Sequence, residues 1–459
     1  MALTLPEAQA WLYGLPSLAA SPTPDASPLD RMRALLAALG NPEQRFKSIH
    51  VAGTKGKGSI CAMLDSVLRA SGQRVGLTTS PHLIDFRERI RIDGAVVATE
   101  TAADLATRVQ AAQQTAGIEI LSFFEAVTAM AFLAFAEAGV DWAVVEVGLG
   151  GRLDPTNVIS PRACVIASIS LDHTAILGST LAQIAAEKAG IIKTNTPVIS
   201  LSQPLEVAQV IERIARERSA PLILLGNHWR GLSAESEVNR NPEARLAPPP
   251  GDQRRTQSFQ VKQVSRIRSV EHPELSPFEG WYEIPLLGRH QIDNATAVLA
   301  TLDALRLRGE PLAREAVREG LRRVMWPGRF DILRAEPPLI ADGAHNVDSI
   351  NKLAMTLAEL YPGRRWTIIF GCFSDKDAEG MINALRLRAV RWIFVATDHP
   401  RARPPEMLAE LARKRGARAS VADSLTAAID EVLRTGEPSV ITGSVVLAGQ
   451  AVVAAGRQL

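Results

Sequence analysis

The stretch FKSIHVAGTKGKGSICAMLDSVLRASG, residues 46–72, decides the fold. FKSIHVAG (46–53) is an apolar run of strand length. SICAMLDSVLRASG (59–72) repeats Ile60, Met63, Leu64, Val67 and Leu68 at helical spacing and stops at Gly72. Between them lie Gly53, Thr54, Lys55, Gly56, Lys57, Gly58 and Ser59. Glycines let a backbone turn so that successive N–H groups point at one anion, and a helix N-terminus adds partial positive charge. Lys57 then stands where it reaches the β- and γ-phosphates of a nucleotide. The loop is the short form G-x-x-G-K-G-S, because Val51 rather than glycine stands six positions before Lys57. Any α/β protein can carry a glycine-rich strand-to-helix turn. Gly, Lys and Ser in this order between a strand and a helix favour the phosphate loop. The pattern N-K-x-D is broken at Asn351-Lys352-Leu353-Ala354, which disfavours a guanine-specific GTPase.

Outward from the loop, short apolar runs alternate with amphipathic stretches. QRVGLTTS (73–80), VDWAVVEVG (140–148), RACVIASIS (162–170) and TPVISL (196–201) read as strands. SFFEAVTAMAFLAFAEAG (122–139) reads as a helix with a wide apolar face. STLAQIAAEKAG (179–190) reads as a helix with Ser179 or Thr180 as its cap and Gly190 past its end. Strands spaced by helices imply right-handed βαβ crossovers and a parallel sheet covered on both faces. Residues 226–280 interrupt this pattern. They are polar, proline-rich and weakly periodic, and read as a mobile surface insertion, with SFQVKQVSRIRSV (258–270) as an edge strand pair and Arg254–Arg255 as a solvated face. HQIDNATAVLATLDALRL (290–307) and PLAREAVREGLRRV (311–324) are helices, and WPGRF (326–330) is a linker. Alternation then restarts with PLIADGAHN, RRWTIIFGCFSDKD, RAVRWIFVATDHP and EPSVITGS, each an apolar strand ending at a polar turn. The expected fold class is α/β: a P-loop parallel-sheet ATPase domain over residues 1–325, then a smaller Rossmann-like α/β domain over 326–459.

Composition narrows the function. The chain has 459 residues, enough for two or three domains, with 46% apolar and 22% charged residues as in ordinary soluble proteins. Lys plus Arg is 51 and Asp plus Glu is 49, a net of +2. That balance gives no pull toward nucleic acid or an anionic membrane, and no basic stripe suits a helicase or motor. Cys61, Cys164 and Cys372 are far apart and sit in apolar runs, so they read as packing residues in a reducing compartment. MALTLPEAQAWLYGLP lacks the basic start of a signal peptide. The longest uncharged run, Pro438–Gly456, contains Gly443, Ser444, Gly449 and Gln450 and reads as strand, turn and helix rather than a membrane span. A cytoplasmic protein, monomeric because exposed aromatic runs are few, is the expectation.

Open parallel sheets bind ligands at the carboxyl ends of their strands. Ser80 in TTSPHL, Glu146 in AVVEVGLGG and His173 in SISLDHT end such strands, with Asp172 beside His173 and Lys188 on the following helix. A hydroxyl and a carboxylate suit Mg²⁺, which keeps waters and phosphates, while histidine would also accept Mn²⁺. Taken singly, Ser80 reads as a turn residue, Lys188 as a solvated lysine and His173 as a helix cap. Glu146 is the stronger candidate, because a carboxylate after an apolar run is costly without a partner.

In order along nearly the whole chain come HVAGTKGKGS (50–59), TSPHLIDFRERIRIDG (79–94), SFFE (122–125), EVGLGGRLDPTNV (146–158), LDHTAILGSTLAQIAAEKAGIIK (171–193), LLGRHQIDNATA (286–297), WPGRFDIL (326–333), ADGAHN (341–346), FGCFSDKD (370–377) and HPRA (399–402). In these motifs the chain resembles folylpolyglutamate synthases and bacterial dihydrofolate synthases, relatives of the Mur ligases. The resemblance implies an ATP-dependent amide ligase: ATP phosphorylates a pteroate or folate carboxylate, the amine of L-glutamate attacks the acyl phosphate, and amide, ADP and phosphate result. It further implies that Gly53–Ser59, Asn294, Arg329 and Asp342 contact ATP, with Arg329 brought in by closure of the linker. Ser80 and Glu146 would hold one Mg²⁺ and His173 a second, with Lys188 carried as a carbamate. Lys57, His173 and Lys188 would be catalytic. Ser122, Phe123, Phe124, Glu125, Gly151, Arg152 and Leu153 match pterin-site residues, and Asp30 and Arg31 match an N-terminal loop that closes on the pterin in bifunctional members. His345 and Asp375-Lys376-Asp377 match cleft motifs without an assigned role.

Two departures stand out: Lys55 replaces the asparagine common in bacterial members and adds charge near the phosphates, and Ser122 replaces threonine. Expected substrates are ATP, L-glutamate, dihydropteroate and reduced folates, with two Mg²⁺ ions and no flavin or nicotinamide. The alternatives are a monofunctional folylpolyglutamate synthase, a Mur-type cell-wall peptide ligase, which SFFE and SPHL disfavour, and a nucleotide-binding scaffold without activity.

Overall fold

The computed structural model describes residues 3–16, 28–233, 255–264 and 276–457. Among them, strands β1 (Lys47–Ala52), β2 (Val75–Thr78), β3 (Ile90–Ile92), β4 (Ala95–Val96), β5 (Trp142–Glu146), β6 (Ala163–Ile166), β7 (Val198–Ser200) and β8 (Leu222–Leu224) form one sheet in the order β4-β3-β2-β5-β1-β6-β7-β8. From β2 through β8 all pairs are parallel. β3 and β4 add an antiparallel hairpin whose Asp93-Gly94 turn has positive φ at both residues. The central strands are buried on both faces, hence their near-continuous apolar runs. β1 lies between β5 and β6, so the chain leaves it in opposite directions on either side. The loop after β1 therefore opens at the switch point of the sheet.

The helix Lys57–Ala70 confirms the strand-loop-helix reading, but its apolar face is wider than the sequence suggests, since every residue from Ser59 to Leu68 is buried. The cause is a second layer. The helix Arg314–Arg323 lies across it so closely that a Cβ on Gly320 would stand 2.4 Å from Val67 Cα, and Ser66 Oγ donates to the Gly320 carbonyl at 2.7 Å. Helices Phe123–Ala138, Leu181–Ala189 and Arg289–Arg306 stand where the periodicity puts them. Ser122 and Thr180 cap the first two, and Gly139 ends the first in the left-handed region.

Within the stretch 226–280, the described residues 226–233, 255–264 and 276–280 are ordered parts of the core rather than a mobile surface insertion. β9 (Trp229–Ser233), β10 (Gln257–Gln263) and β11 (Gly280–Ile284) form an antiparallel sheet with β10 in the middle rather than at an edge. Trp229, Phe259, Phe278 and Tyr282 are buried and join the core beneath the helix Arg289–Arg306. Four large rings bury enough apolar surface to order strands whose local pattern is weak. Arg255 is exposed, whereas Arg254 and most of the polar run lie outside the described residues, as does the rest of 258–270 beyond Val264.

The last six strands are β12 (Asp331–Ala335), β13 (Pro338–Ala341), β14 (Trp366–Phe370), β15 (Ala389–Phe394), β16 (Ala419–Val421) and β17 (Ser439–Thr442). They form a second sheet in the order β12-β13-β17-β14-β15-β16, parallel except at β12. Pro438–Gly456 resolves into β17, a turn and the helix Val445–Ala454. Among the described residues no helix is long and apolar enough to cross a membrane.

Candidate active site

A cavity of about 460 Å³ lies where the carboxyl ends of the first sheet face the loop after β13. The phosphate loop forms its floor. Gly53 and Gly56 have φ of 145° and 92°, and a Cβ on Gly56 would stand 2.6 Å from Asn294 Oδ1. The backbone N–H groups of Thr54 and Lys55 donate to the Ser168 carbonyl at 2.8 and 3.2 Å, which pins the loop to the segment after β6. The first turn of the helix, with its N–H groups, is left facing the cavity. Gly56→Ala should cost about 1–3 kcal/mol from the left-handed backbone alone. Because the methyl also displaces Asn294, nucleotide affinity should fall while the melting transition stays cooperative, which calorimetry of ATP binding and of unfolding would check together.

Lys57 Nζ stands 3.6 Å from Glu146 Oε1, and Glu146 Oε2 accepts the Ser80 N–H at 3.1 Å. Glu146 is the carboxylate at the end of β5. Burial pushes its pKa up, and the Lys57 ammonium with the Ser80 N–H pulls it back. Such a site, with one carboxylate, one hydroxyl and space beside a phosphate loop, fits Mg²⁺ held mostly by water and phosphate oxygens. Among the described residues no cluster of three or more His, Cys, Asp or Glu is preassembled for a metal.

Asp172 and His173 follow β6. His173 has φ 51° at the start of the short helix Thr174–Leu177, but its imidazole makes no capping bond and is half exposed to the cavity. Burial lowers its pKa, and Lys376, Lys188 and Lys55 add to that against the opposing Asp172, so it is held neutral as a metal ligand must be. Lys55 does not project free charge at the phosphates. Its Nζ pairs with Asp172 Oδ2 at 2.9 Å, and the same oxygen accepts Asn346 Nδ2 at 3.2 Å. Burial alone would raise the Asp172 carboxyl, but Lys55 holds it well below the usual range.

Lys188 is buried rather than solvated and donates to the Gly53 carbonyl at 3.0 Å. Burial, with the neighbouring Lys57 charge, lowers its pKa to about 7. Arg329 lines the cavity from the connecting segment. Asp342 accepts the Phe330 and Ala344 N–H groups, each at 2.8 Å, and so clips that segment to the loop after β13. His345, driven to about 3 by burial, is neutral, and its Nδ1–H must donate to the Gly343 carbonyl at 2.8 Å. Asp377 caps the helix Ala378–Leu385, Asp375 pairs with Lys376, and the Phe373 ring packs tilted against His399 of HPRA with centroids 4.5 Å apart.

All the residues proposed for nucleotide and metal line this one cavity. Those matched to the pterin do not. Ser122 and Glu125 are fully buried: Glu125 accepts the Ser122 N–H and Oγ–H and takes Arg31 Nε at 2.8 Å. Arg31 and Asp30 lie on the helix Pro28–Ala38, not in a loop, and Asp30 pairs with Arg33 at the surface. Phe123 stacks on Tyr13 at 5.7 Å with Arg89 over its face at 5.0 Å, and Phe124 packs on Gly148. Gly151 passes under the Glu187 and Lys188 carbonyls, Arg152 pairs with Glu187, and Leu153 is exposed. Breaking a buried pair strands a charge, so Arg31→Ala should lose about 3–5 kcal/mol of stability. Arg31→Met with Glu125→Gln should recover most of it, as chemical denaturation would show.

Several cavity residues escaped the sequence reading. Gln291 Nε2 reaches Ser59 Oγ at 3.3 Å and its Oε1 takes Asn294 Nδ2 at 3.0 Å. Ser349, Lys352, Leu353 and Thr356 share one face of the helix Val347–Leu360. Helical spacing around Asn294 was the available signal for Gln291. The face at 349–356 only acquires meaning once the two sheets are apposed.

Comparison with known proteins gives the family. The Mur ligase middle domain matches residues 51–302, and the Mur ligase glutamate ligase domain matches 328–450. The chain is 37% identical over 404 residues to the dihydrofolate synthase/folylpolyglutamate synthase of Bacillus subtilis, covering 86% of each chain. It is 36% identical to the protein of the same description from Mycobacterium tuberculosis, over 94% of this chain and 90% of that one. The crystal structure of Mycobacterium tuberculosis folylpolyglutamate synthase complexed with ADP and AMPPCP superposes with a TM-score of 0.82 at 33% identity, over 99% of this chain and 98% of that one. Two Mur ligase domains in order, and relatives matching nearly end to end, mean that this chain belongs to the Mur ligase family of ATP-dependent ligases, among the dihydrofolate synthases/folylpolyglutamate synthases.

Proposed function

We propose that the protein joins L-glutamate to dihydropteroate and to reduced folates, using ATP and an acyl phosphate. The observation that carries this is the single cavity in which Lys57, Glu146, Asp172, His173, Lys188 and Arg329 converge on a phosphate loop. The loop N–H groups and Lys57 orient the nucleotide and neutralise charge building on the transferred phosphoryl group. Arg329 approaches from the connecting segment, so closure of the parts before and after about residue 325, which we read as two domains, completes the site and excludes water from the acyl phosphate.

Two Mg²⁺ ions fit the donors: Ser80 and Glu146 for one, His173 with Lys188 for the other. When bound they supply charge neutralisation on the phosphates. An ammonium at Lys188 would repel a cation. With its pKa near 7 the amine is substantially neutral at working pH, adds CO₂ at Nζ with loss of a proton, and becomes an anionic oxygen donor. The buried, free thiols of Cys61, Cys164 and Cys372 suit a reducing cytoplasm, where we place the reaction.

The test is phosphate release from ATP and Mg²⁺ with L-glutamate, alone, with dihydropteroate and with tetrahydrofolate. Turnover with both pterins is expected. Turnover with tetrahydrofolate alone would leave only chain extension, and silence throughout would overturn the reading.

A further inference from the structure

A second cavity, of about 710 Å³, flanks the connecting segment outside the nucleotide cleft and shares only Arg329 and Phe330 with it. Its volume is within the roughly 300–1,000 Å³ of small-molecule sites. Val324 and Val452 supply apolar wall, and the rings of Trp326 and Tyr361 supply flat faces. Four guanidinium groups line it, those of Arg255, Arg329, Arg334 and Arg457, against one carboxylate among the described lining residues, Asp331, which takes Arg457 at 2.6 Å. Arg255 and Arg334 donate to the backbone carbonyls of Leu360 and Glu336, and among the described residues neither has a carboxylate partner. Among the described residues no carboxylate neutralises them, which leaves both guanidinium groups available to an anionic ligand. Arg255 and Arg364 also stand over the Tyr361 ring at 5.1 and 5.6 Å, cation–π contacts that hold the Arg255 guanidinium at the cavity.

Trp326 connects this cavity to the phosphate loop. A Cβ on Gly58 would stand 3.0 Å from Trp326 Cζ2 and 3.1 Å from Nε1, so the indole rests on the loop, and its Nε1 is buried without a hydrogen-bond partner among the described residues. The side chain that helps line the cavity is thus the one that packs on the first turn of the phosphate-loop helix.

We propose that this cavity is a second ligand site, for a compact aromatic ring bearing carboxylates, and that its occupancy is felt at the phosphate loop through Trp326. The inference stands on the cavity's own chemistry and does not depend on the reaction assigned to the cleft. The probe is 4-aminobenzoyl-L-glutamate, titrated calorimetrically into the full chain with and without a saturating non-hydrolysable ATP analogue. One saturable site that survives the analogue is expected. Arg334→Glu, which reverses a rim charge, and Ala335→Trp, which fills the rim, should each weaken the probe about tenfold or more. Both substitutions are at exposed positions, so ATP turnover without probe should stay within about twofold. In the unaltered chain the probe should shift the KM for ATP, and Trp326→Phe should abolish that shift while retaining the probe. No binding, displacement by the ATP analogue, or undiminished binding in both rim variants would overturn the site. A KM shift that persists in Trp326→Phe would overturn the coupling.

Discussion

Lys57→Ala is expected to lower ATP-dependent turnover by about 10²–10³-fold or more, the loss seen when one preorganised charge donor is removed from a transition state. The substitution acts twice here. It removes the cation proposed to stand at the nucleotide's transferred phosphate, and it strands Glu146, which Lys57 Nζ faces at 3.6 Å. A carboxylate already raised by burial then rises further and takes up a proton more readily, which weakens it as a cation ligand. Lys57→Ala and Glu146→Gln should therefore be far from additive: once one is made, the other costs less. The fold should survive, since Lys57 sits at the cavity edge and its backbone, not its side chain, forms the helix start. Phosphate release against an unchanged thermal transition would check this, and normal turnover would remove the phosphate-loop assignment.

The second large effect is expected at Lys188. Lys188→Ala should reduce turnover by about 10²-fold or more, as loss of a group that holds charge beside the phosphates does. Added bicarbonate should not restore it, because no amine remains to carry the carboxyl group. In the unaltered chain, ¹³C-bicarbonate should give one carbamate resonance that disappears in Lys188→Ala. The sign with pH follows from the lowered pKa. Below about 7 the amine is protonated and cannot add CO₂; above it the neutral form dominates, so carbamate content should rise between roughly pH 6 and 8. An unmodified lysine across that range would count against the carbamate, and the ammonium would then stand as a further phosphate contact.

These two residues show how legible the site was. Lys57 is readable in seven consecutive residues, because a strand, three glycines, a lysine and a serine act through local backbone geometry. Lys188 is not. In sequence it is a helix lysine near a C-terminus, and only the folded chain supplies the burial and the neighbouring Lys57 charge that lower its pKa. Resemblance to a family pointed to it, whereas the residues around it did not.

The same division runs through the molecule. Local sequence by itself determined the strands that end at the cavity, the helix that starts at the Ser179-Thr180 cap, and the glycine-rich loop, since each depends on residues within a few positions of one another. Only the tertiary structure decided that Lys55 pairs with Asp172, 117 residues away, and that the same carboxylate reaches Asn346, 174 residues away. It also decided that Arg31 pairs with Glu125, 94 residues away, and that β9, β10 and β11 close into a sheet around Trp229 and Phe259. The physical reason is the same in each case. A charge or ring far from its partner in sequence has no local pattern to announce it, and burial then selects the partner, because a desolvated charge must be compensated wherever in the chain the compensating group lies.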